Sequence, residues 1–255
     1  MYTDWLNDIL ICPETLKALK HSGDIYESEV KAYHEKNGIL SVVNPDQIDG
    51  TDARYNKIYN IPAAIYDLYE KAMGKLLTGV DMEKGRKQIV SLLGLKPGMK
   101  ILEVSPGSGV FQKYLRGLIG EAGELVALDL SMGMLQQCQK RNKILKVELI
   151  HGNALYLPFA DSSFDALFHF GGVNLFNDPQ RAISEFIRVV RKDGIVSWGD
   201  EGFSDNYKQE RRNKLMMKIN PGFTKPHPVI PDIVYNVKEN EVYEGLAYLI
   251  VARKG

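Results

Sequence analysis

The chain has 255 residues, 44% of them hydrophobic, with 32 Lys+Arg against 32 Asp+Glu. That length buries a full core, as one large domain or one domain with a small appendage, and the balanced charge excludes a global basic field that would gather nucleic acid or anionic lipid. Cys12 and Cys138 lie far apart, without zinc-site spacing or a reason to infer a disulfide; with no leader-like N-terminus and no bilayer-length apolar run, the expectation is a cytoplasmic protein with no membrane span.

Residues 1–48 read as a small β-rich module. Leu6, Ile9, Leu10 and Ile11 form an apolar segment ending at Cys12-Pro13, and Ile25-Tyr26, Val30 to Tyr33 and Ile39 to Val43 read as short strands around turns at Gly23 and Asn37-Gly38. Residues 49–87 read as a helical lid. Tyr55, Tyr59, Tyr66 and Tyr69 recur with Ile58, Ile65 and Leu68 at helical spacing, which serves either packing on the main domain or ligand contact, since tyrosine carries an apolar body and a polar tip.

From residue 88 the units alternate. A helix over Lys84 to Leu93 is followed by strands at Lys100 to Val104, Leu125 to Leu128, Val147 to His151, Ala166 to Phe170 and Ile195 to Trp198, with helices at Val110 to Ile119, Met132 to Arg141 and Pro179 to Arg191. Continuously apolar strands in alternation with helices predict an α/β fold: a doubly wound, mostly parallel sheet covered on both faces. After a polar helix at Asn206 to Ile219 and a proline-rich loop, Ile233 to Val237 and Leu246 to Ala252 are close enough for a hairpin, so the last strand is expected to be antiparallel. The run Arg211, Arg212, Lys214, Lys218 reads as the wet face of that polar helix.

The informative stretch is Ile101-Leu-Glu-Val-Ser-Pro-Gly-Ser-Gly-Val-Phe111, a strand entering a glycine turn and then a helix. Gly107 and Gly109 permit φ > 0 and close ligand approach, and the helix start offers unpaired N–H groups. By itself this fits a dinucleotide, another nucleoside cofactor or a plain βα turn. Asp129 ends the second strand about 20 residues further on, where a carboxylate can accept from both hydroxyls of a ribose. The turn reads Gly107-x-Gly109-x-x-Gln112, and the absent third glycine lowers the dinucleotide reading.

Four stretches then stand in order: Glu103-Val-Ser-Pro-Gly-Ser-Gly109, Leu128-Asp-Leu-Ser-x-Gly-Met-Leu135, Gly152-Asn-Ala-x-x-Leu-Pro-Phe-x-Asp-x-Ser-Phe-Asp165 and Arg188-Val-Val-Arg-Lys-Asp-Gly194. They resemble the signature stretches of Rossmann-like (class I) S-adenosylmethionine-dependent methyltransferases, in the branch that includes quinone-biosynthesis and other small-molecule enzymes, and place that domain at 88–255. The resemblance implies S-adenosyl-L-methionine as cofactor. Glu103 would engage the methionine amino group and Asp129 the ribose diol, with Gly107 and Gly109 against the cofactor. Leu130 and Met134 would pack near the adenine, Asn153 would accept from its amino group and Ala154 would donate a backbone N–H. Phe170 and Gly171 would lie beside the methionine portion. Ser105 stands where the family has glycine, and an ordinary β conformation is expected for it, narrowing the site. The N-terminal pattern, Leu-x-x-Ile-Leu-x-Cys12-Pro13, Ala32-Tyr33 and Gly38-Ile39-Leu40, resembles the zinc-ribbon-like module of methyltransferase activator subunits. A second cysteine is missing after Cys12, so no metal is expected and Cys12 reads as a small buried residue.

Methyl transfer to an activated sulfonium carbon asks the protein for position, alignment and desolvation. A small-molecule acceptor is the leading expectation. An RNA or protein acceptor, or a non-catalytic nucleoside-binding role, is the alternative; nucleic acid is disfavoured by the missing basic face. His169 is the candidate base by its pKa range, against a reading as a buried neutral residue. Asp200 and Glu201, at the carboxyl end of the fifth strand of the domain where substrate-contacting groups belong, either bind a cation or act as base, or are solvated loop residues, and Asn174 follows the fourth strand nearest the reacting methyl. His227 reads as a surface loop residue.

Overall fold

The computed structural model of the chain describes residues 2–48, 50, 80–202 and 228–255. The stretch with Tyr55, Tyr59, Tyr66 and Tyr69, the helix expected at 206–219 with its basic run, and His227 lie outside the described residues.

The chain opens with helix α1, Asp4–Ile9, whose first turn is capped by the Thr3 side chain accepting from the Leu6 N–H. The apolar segment at 6–11 is thus mainly helix, and Leu10 and Ile11 continue it as isolated bridges to Phe159 and Ala18. Four short strands follow: β1 Lys20–Ser22, β2 Ile25–Glu27, β3 Ala32–Lys36 and β4 Ile39–Ser41, antiparallel in succession.

Helix α2, Met82–Leu92, starts on Asp81, whose carboxylate accepts from the N–H groups of Glu83 and Lys84. Then come β5 Lys100–Val104, α3 Gln112–Ile119, β6 Glu124–Asp129, α4 Met132–Arg141, β7 Glu148–His151, β8 Phe164–Phe170, α5 Pro179–Val189 and β9 Val190–Glu201. Ser131 caps α4, and Asp178 caps α5 ahead of Pro179. Helix α5 stops two residues earlier than its periodicity predicts. The β-branched pair Val189-Val190 turns the chain into a strand of 12 residues, and Arg191 is held there by the Asp165 carboxylate at 2.5 Å. The expected hairpin is β10 Val234–Val242 and β11 Ala247–Lys254, with β11 antiparallel to β9.

Among the described residues one eleven-stranded sheet results, in the order β1-β2-β3-β4-β7-β6-β5-β8-β9-β11-β10. Strands β7, β6, β5, β8 and β9 are parallel, and β4 joins β7 in parallel, so the N-terminal strands prolong this sheet. Tyr2 fastens the junction: its hydroxyl donates to the Leu149 carbonyl at 2.7 Å and accepts from the Leu40 N–H at 2.6 Å. One face of the sheet packs Leu6, Leu10, Phe159, Phe164, Phe186 and Trp198 around α1 and α5; the other packs Ile89, Leu115, Ile119 and Phe168 around α2 and α3. In α2 a side chain at Gly85 would collide with the Tyr243 ring, which sits 2.2 Å from where its Cβ would be. No helix of the described residues is long and apolar enough to cross a membrane.

Candidate functional site

In a doubly wound sheet the ligand crevice opens at the carboxyl ends of the strands, where the chain order reverses. Here β5 lies between β6 and β8, so the reversal falls beside Val104, and register brings Val104 level with Leu128 and His169. The loop at 105–109 leaves β5 at this point.

Ser105 corrects the sequence expectation. Its φ is +55°, in the left-handed region rather than the β region. Its N–H still donates to the Leu128 carbonyl at 2.7 Å, the last rung of the β5–β6 pairing, and the chain turns out of the strand at its Cα. The position therefore has the conformation glycine adopts freely, held by serine at a cost of about 1 kcal/mol. Gly107 (φ +55°) and Gly109 (φ +77°) are also left-handed. A Cβ on Gly107 would meet nothing within 4 Å, so that face is open to a ligand. One on Gly109 would lie 2.4 Å from Asn142 Nδ2 and 2.7 Å from Cys138 Sγ, so helix α4 presses directly on the backbone there. Helix α3 then begins at Phe111 with no side-chain cap, leaving its first N–H groups to the loop.

Two buried carboxylates flank this loop. Asp129 is 9% exposed; its Oδ2 accepts from the Gly107 N–H at 3.1 Å and its Oδ1 from Ser131 N–H at 2.8 Å. Burial raises its pKa to about 6 against these hydrogen bonds. Glu103 is 2% exposed, and its pKa is pushed up to about 8, by burial first, with the Asp129 charge adding and a Gln112 hydrogen bond opposing. Its Oε2 has no hydrogen-bond partner among the described residues. A buried carboxylate with an unpaired oxygen fits a cationic amino group, and an open glycine turn next to a held carboxylate fits a ribose.

On the far side of β6, Asn153 is buried, with its Oδ1 accepting from the Leu155 N–H at 2.9 Å and its Nδ2 donating to the Gln47 carbonyl at 3.1 Å. Ala154 is buried beside it, Met134 is buried in the first turn of α4 and Leu130 is half-buried. Phe170 and Gly171 end β8. The Phe170 ring lies 5.7 Å from that of Phe111, tilted to it, and 5.7 Å from that of Tyr243, edge-on, and the Gly171 N–H donates to the Gly199 carbonyl. Glu103, Ser105, Gly107, Gly109, Asp129, Asn153 and Gly171 thus share one edge of the sheet.

The acid–base candidates fare differently. His169 is fully buried. Its Nδ1–H donates to the Val104 carbonyl at 3.0 Å, its ring packs between Phe176 and Phe186, and burial lowers its pKa. It alternates with Phe170 along β8 and so points to the opposite face, into the α5 core; the structure does not bring it to the loop. Asp200 is not solvated: its Oδ1 accepts from the N–H groups of Gly172 and Glu201, and its Oδ2 from that of Asn174. It clamps the 171–174 turn, and this corrects the reading as a solvated loop residue. Glu201 is exposed beside it.

Sequence reasoning missed Gln112, fully buried with Oε1 accepting from Asn142 Nδ2 at 2.7 Å, and the contacts of Gln47 with Asn153 and of His151 with Leu130. A polar residue at helix position 112, facing inward in an otherwise apolar face, was the available signal. Cys12 is buried with its Sγ 3.2 Å from the Tyr33 hydroxyl, and no group of three metal-ligating side chains stands together among the described residues.

A family model described as a methyltransferase domain matches residues 102–197. The chain is 31% identical over 147 residues to a demethylmenaquinone methyltransferase of Bacillus cereus, covering 56% of this chain and 62% of that protein, so it spans about three fifths of the length of the curated relatives it matches. Among solved structures it resembles an S-adenosylmethionine-dependent methyltransferase from Aquifex aeolicus (TM-score 0.53, 22% identity, 76% of this chain and 98% of that one). It also resembles Haemonchus contortus phosphoethanolamine N-methyltransferase 2 in complex with S-adenosyl-L-methionine (TM-score 0.62, 15% identity, 83% and 61%). At these identities the structural likeness is one of fold: the domain has the α/β methyltransferase fold.

Proposed function

We propose that the protein binds S-adenosyl-L-methionine and transfers its methyl group to a small-molecule acceptor. The observation that carries this reading is the buried pair Glu103 and Asp129 on either side of the left-handed loop, with Glu103 Oε2 unpaired. Asp129, already oriented by Gly107 and Ser131, would hold the ribose hydroxyls. Glu103 would take the cofactor's ammonium, which supplies the positive charge the buried carboxylate lacks. Asn153, Ala154, Leu130 and Met134 would line the adenine, and Phe170 and Gly171 the methionine chain.

When bound, the cofactor supplies an electrophilic methyl on sulfur that needs no further activation. The chain's own work is to place and dry the acceptor. The 171–174 turn, clamped by Asp200 and carrying Asn174, stands next to the methionine side of the crevice. The acceptor is read as one that loses its proton easily or only after transfer, as a phenol, thiol or activated ring carbon does. The balanced charge and the demethylmenaquinone methyltransferase relative support a small molecule over a nucleic acid.

The test is calorimetric titration with S-adenosylhomocysteine, followed by incubation with methyl-labelled cofactor and a panel of phenols, quinols, thiols, amines and RNA. Micromolar binding lost at least tenfold in Asp129→Ala, with the fold retained, is expected. Unchanged affinity in that variant refutes the cofactor reading, and label entering only RNA refutes the acceptor class.

A further inference from the structure

The N-terminal strands reach the crevice through one side chain outside the methyltransferase signature stretches. His151 ends β7, directly beside Asp129 in register, and it is ligated on both ring nitrogens. Its Nε2 lies 3.0 Å from the Leu130 carbonyl, and its Nδ1 lies 2.8 Å from Ser41 Oγ at the end of β4. A carbonyl can only accept, so Nε2 carries the proton. In the neutral ring Nδ1 must then accept from the Ser41 hydroxyl. Burial lowers the His151 pKa, which keeps the ring in this neutral form. The same stretch of chain continues along the crevice edge: Val42 N–H donates to the His151 carbonyl at 2.9 Å, and the Gln47 carbonyl accepts from Asn153 at 3.1 Å.

We propose that His151 is a positioning residue for the nucleoside half of the cofactor site, its tautomer set by Ser41 and its Nε2–H fixing the Leu130 peptide that follows the ribose-binding Asp129. Residues 41–47 thereby form one wall of that subsite, and the N-terminal strands are part of the binding machinery instead of an appendage. The Leu130 peptide has a definite direction because its carbonyl is tied to His151. The Asp129 carboxylate beside it is tied in turn to the Gly107 and Ser131 N–H groups. With the imidazole gone, the carbonyl turns to water and the Leu130–Ser131 peptide, whose N–H holds the Asp129 carboxylate, gains freedom next to the ribose. The effect belongs to the nucleoside alone, because Glu103 stands on β5, two strands from His151, and the methionine side lies beyond it at the end of β8. This inference rests on the proposed cofactor.

The test measures binding of S-adenosylhomocysteine and of 5′-methylthioadenosine, which keeps the nucleoside and lacks the amino acid, to the full chain. His151→Ala is expected to weaken both by about tenfold. Ser41→Ala should weaken both by a few-fold, and His151→Gln, which restores an N–H toward Leu130, should recover most of the loss. Tyr2→Phe is the control, since it loosens the same β4–β7 junction at a point away from the crevice. Affinities unchanged in His151→Ala and Ser41→Ala overturn the proposal, as does an equal loss in Tyr2→Phe, or a loss for S-adenosylhomocysteine alone. A parent chain that binds neither compound overturns the cofactor reading itself and this inference with it.

Discussion

Replacing Glu103 by glutamine removes a charge from the most buried acidic position of the site. In the native chain without ligand, burial holds the carboxyl protonated up to about pH 8, against an ordinary 4.5. Between those values the folded state keeps a proton that the unfolded state has lost, so stability falls as pH rises and levels off above pH 8. At about 1.4 kcal/mol per pH unit, the penalty is about 3 kcal/mol at pH 7 and about 5 kcal/mol at pH 9. Glu103→Gln escapes it. Urea denaturation of parent and variant at pH 5.5, 7 and 9 should show the variant gaining on the parent by roughly these amounts as pH rises, with the two curves closest at the acid end. A cationic amino group bound at Glu103 reverses the balance, so the parent should release a proton on taking up S-adenosylhomocysteine at pH 7, read by calorimetry in buffers of different ionisation enthalpy. Parallel stability curves for the two chains, or binding with no proton release, would refute the account of Glu103 as a buried acid awaiting a cation.

Ser105→Gly should be neutral or stabilising by about 0.5–1 kcal/mol, because it relieves the positive φ, while Ser105→Val should cost about 1–2 kcal/mol; thermal melts of the two variants moving in the same direction would contradict the conformation described for this residue. Gly107→Ala should cost about 1 kcal/mol for its backbone alone, whereas Gly109→Ala, which also runs into Asn142 and Cys138, should cost about 2–4 kcal/mol; equal losses would show that α4 does not press on the loop. Asp200→Ala leaves the N–H groups of Gly172, Asn174 and Glu201 without their acceptor, so about 2–3 kcal/mol of stability should go, and acceptor KM should rise more than cofactor Kd. The opposite ranking would move Asp200 to the cofactor side.

The alternation of units from 88 to 198 was legible because burial on both sheet faces demands unbroken apolar runs, and Met132–Arg141 and Lys100–Val104 emerge at the residues where caps and periodicity place them. What a polar residue faces was less legible. Asp200 and His169 looked like chemistry because they are titratable and stand near strand ends, yet one is consumed by three backbone N–H groups and the other by a carbonyl and two aromatic rings. For His169 the signal was in hand: Phe170 was assigned to the cofactor side, and adjacent strand residues point to opposite faces, so His169 and Phe170 cannot both line the crevice. Ser105 was illegible for a different reason, since a serine gives no local signal for a left-handed φ, a conformation that glycine adopts freely. The N-terminal strands carry the same lesson further. Ser41 and His151 are 110 residues apart, and nothing local in Ile39-Leu-Ser41 says that it pairs in parallel with β7 instead of closing a separate module. Because β4 ends level with His151, the only polar side chain at the end of that strand meets the only ionisable one at the end of its neighbour, at the rim where the nucleoside would lie. Composition marked the segment as different in character; the register decides that it belongs to the site.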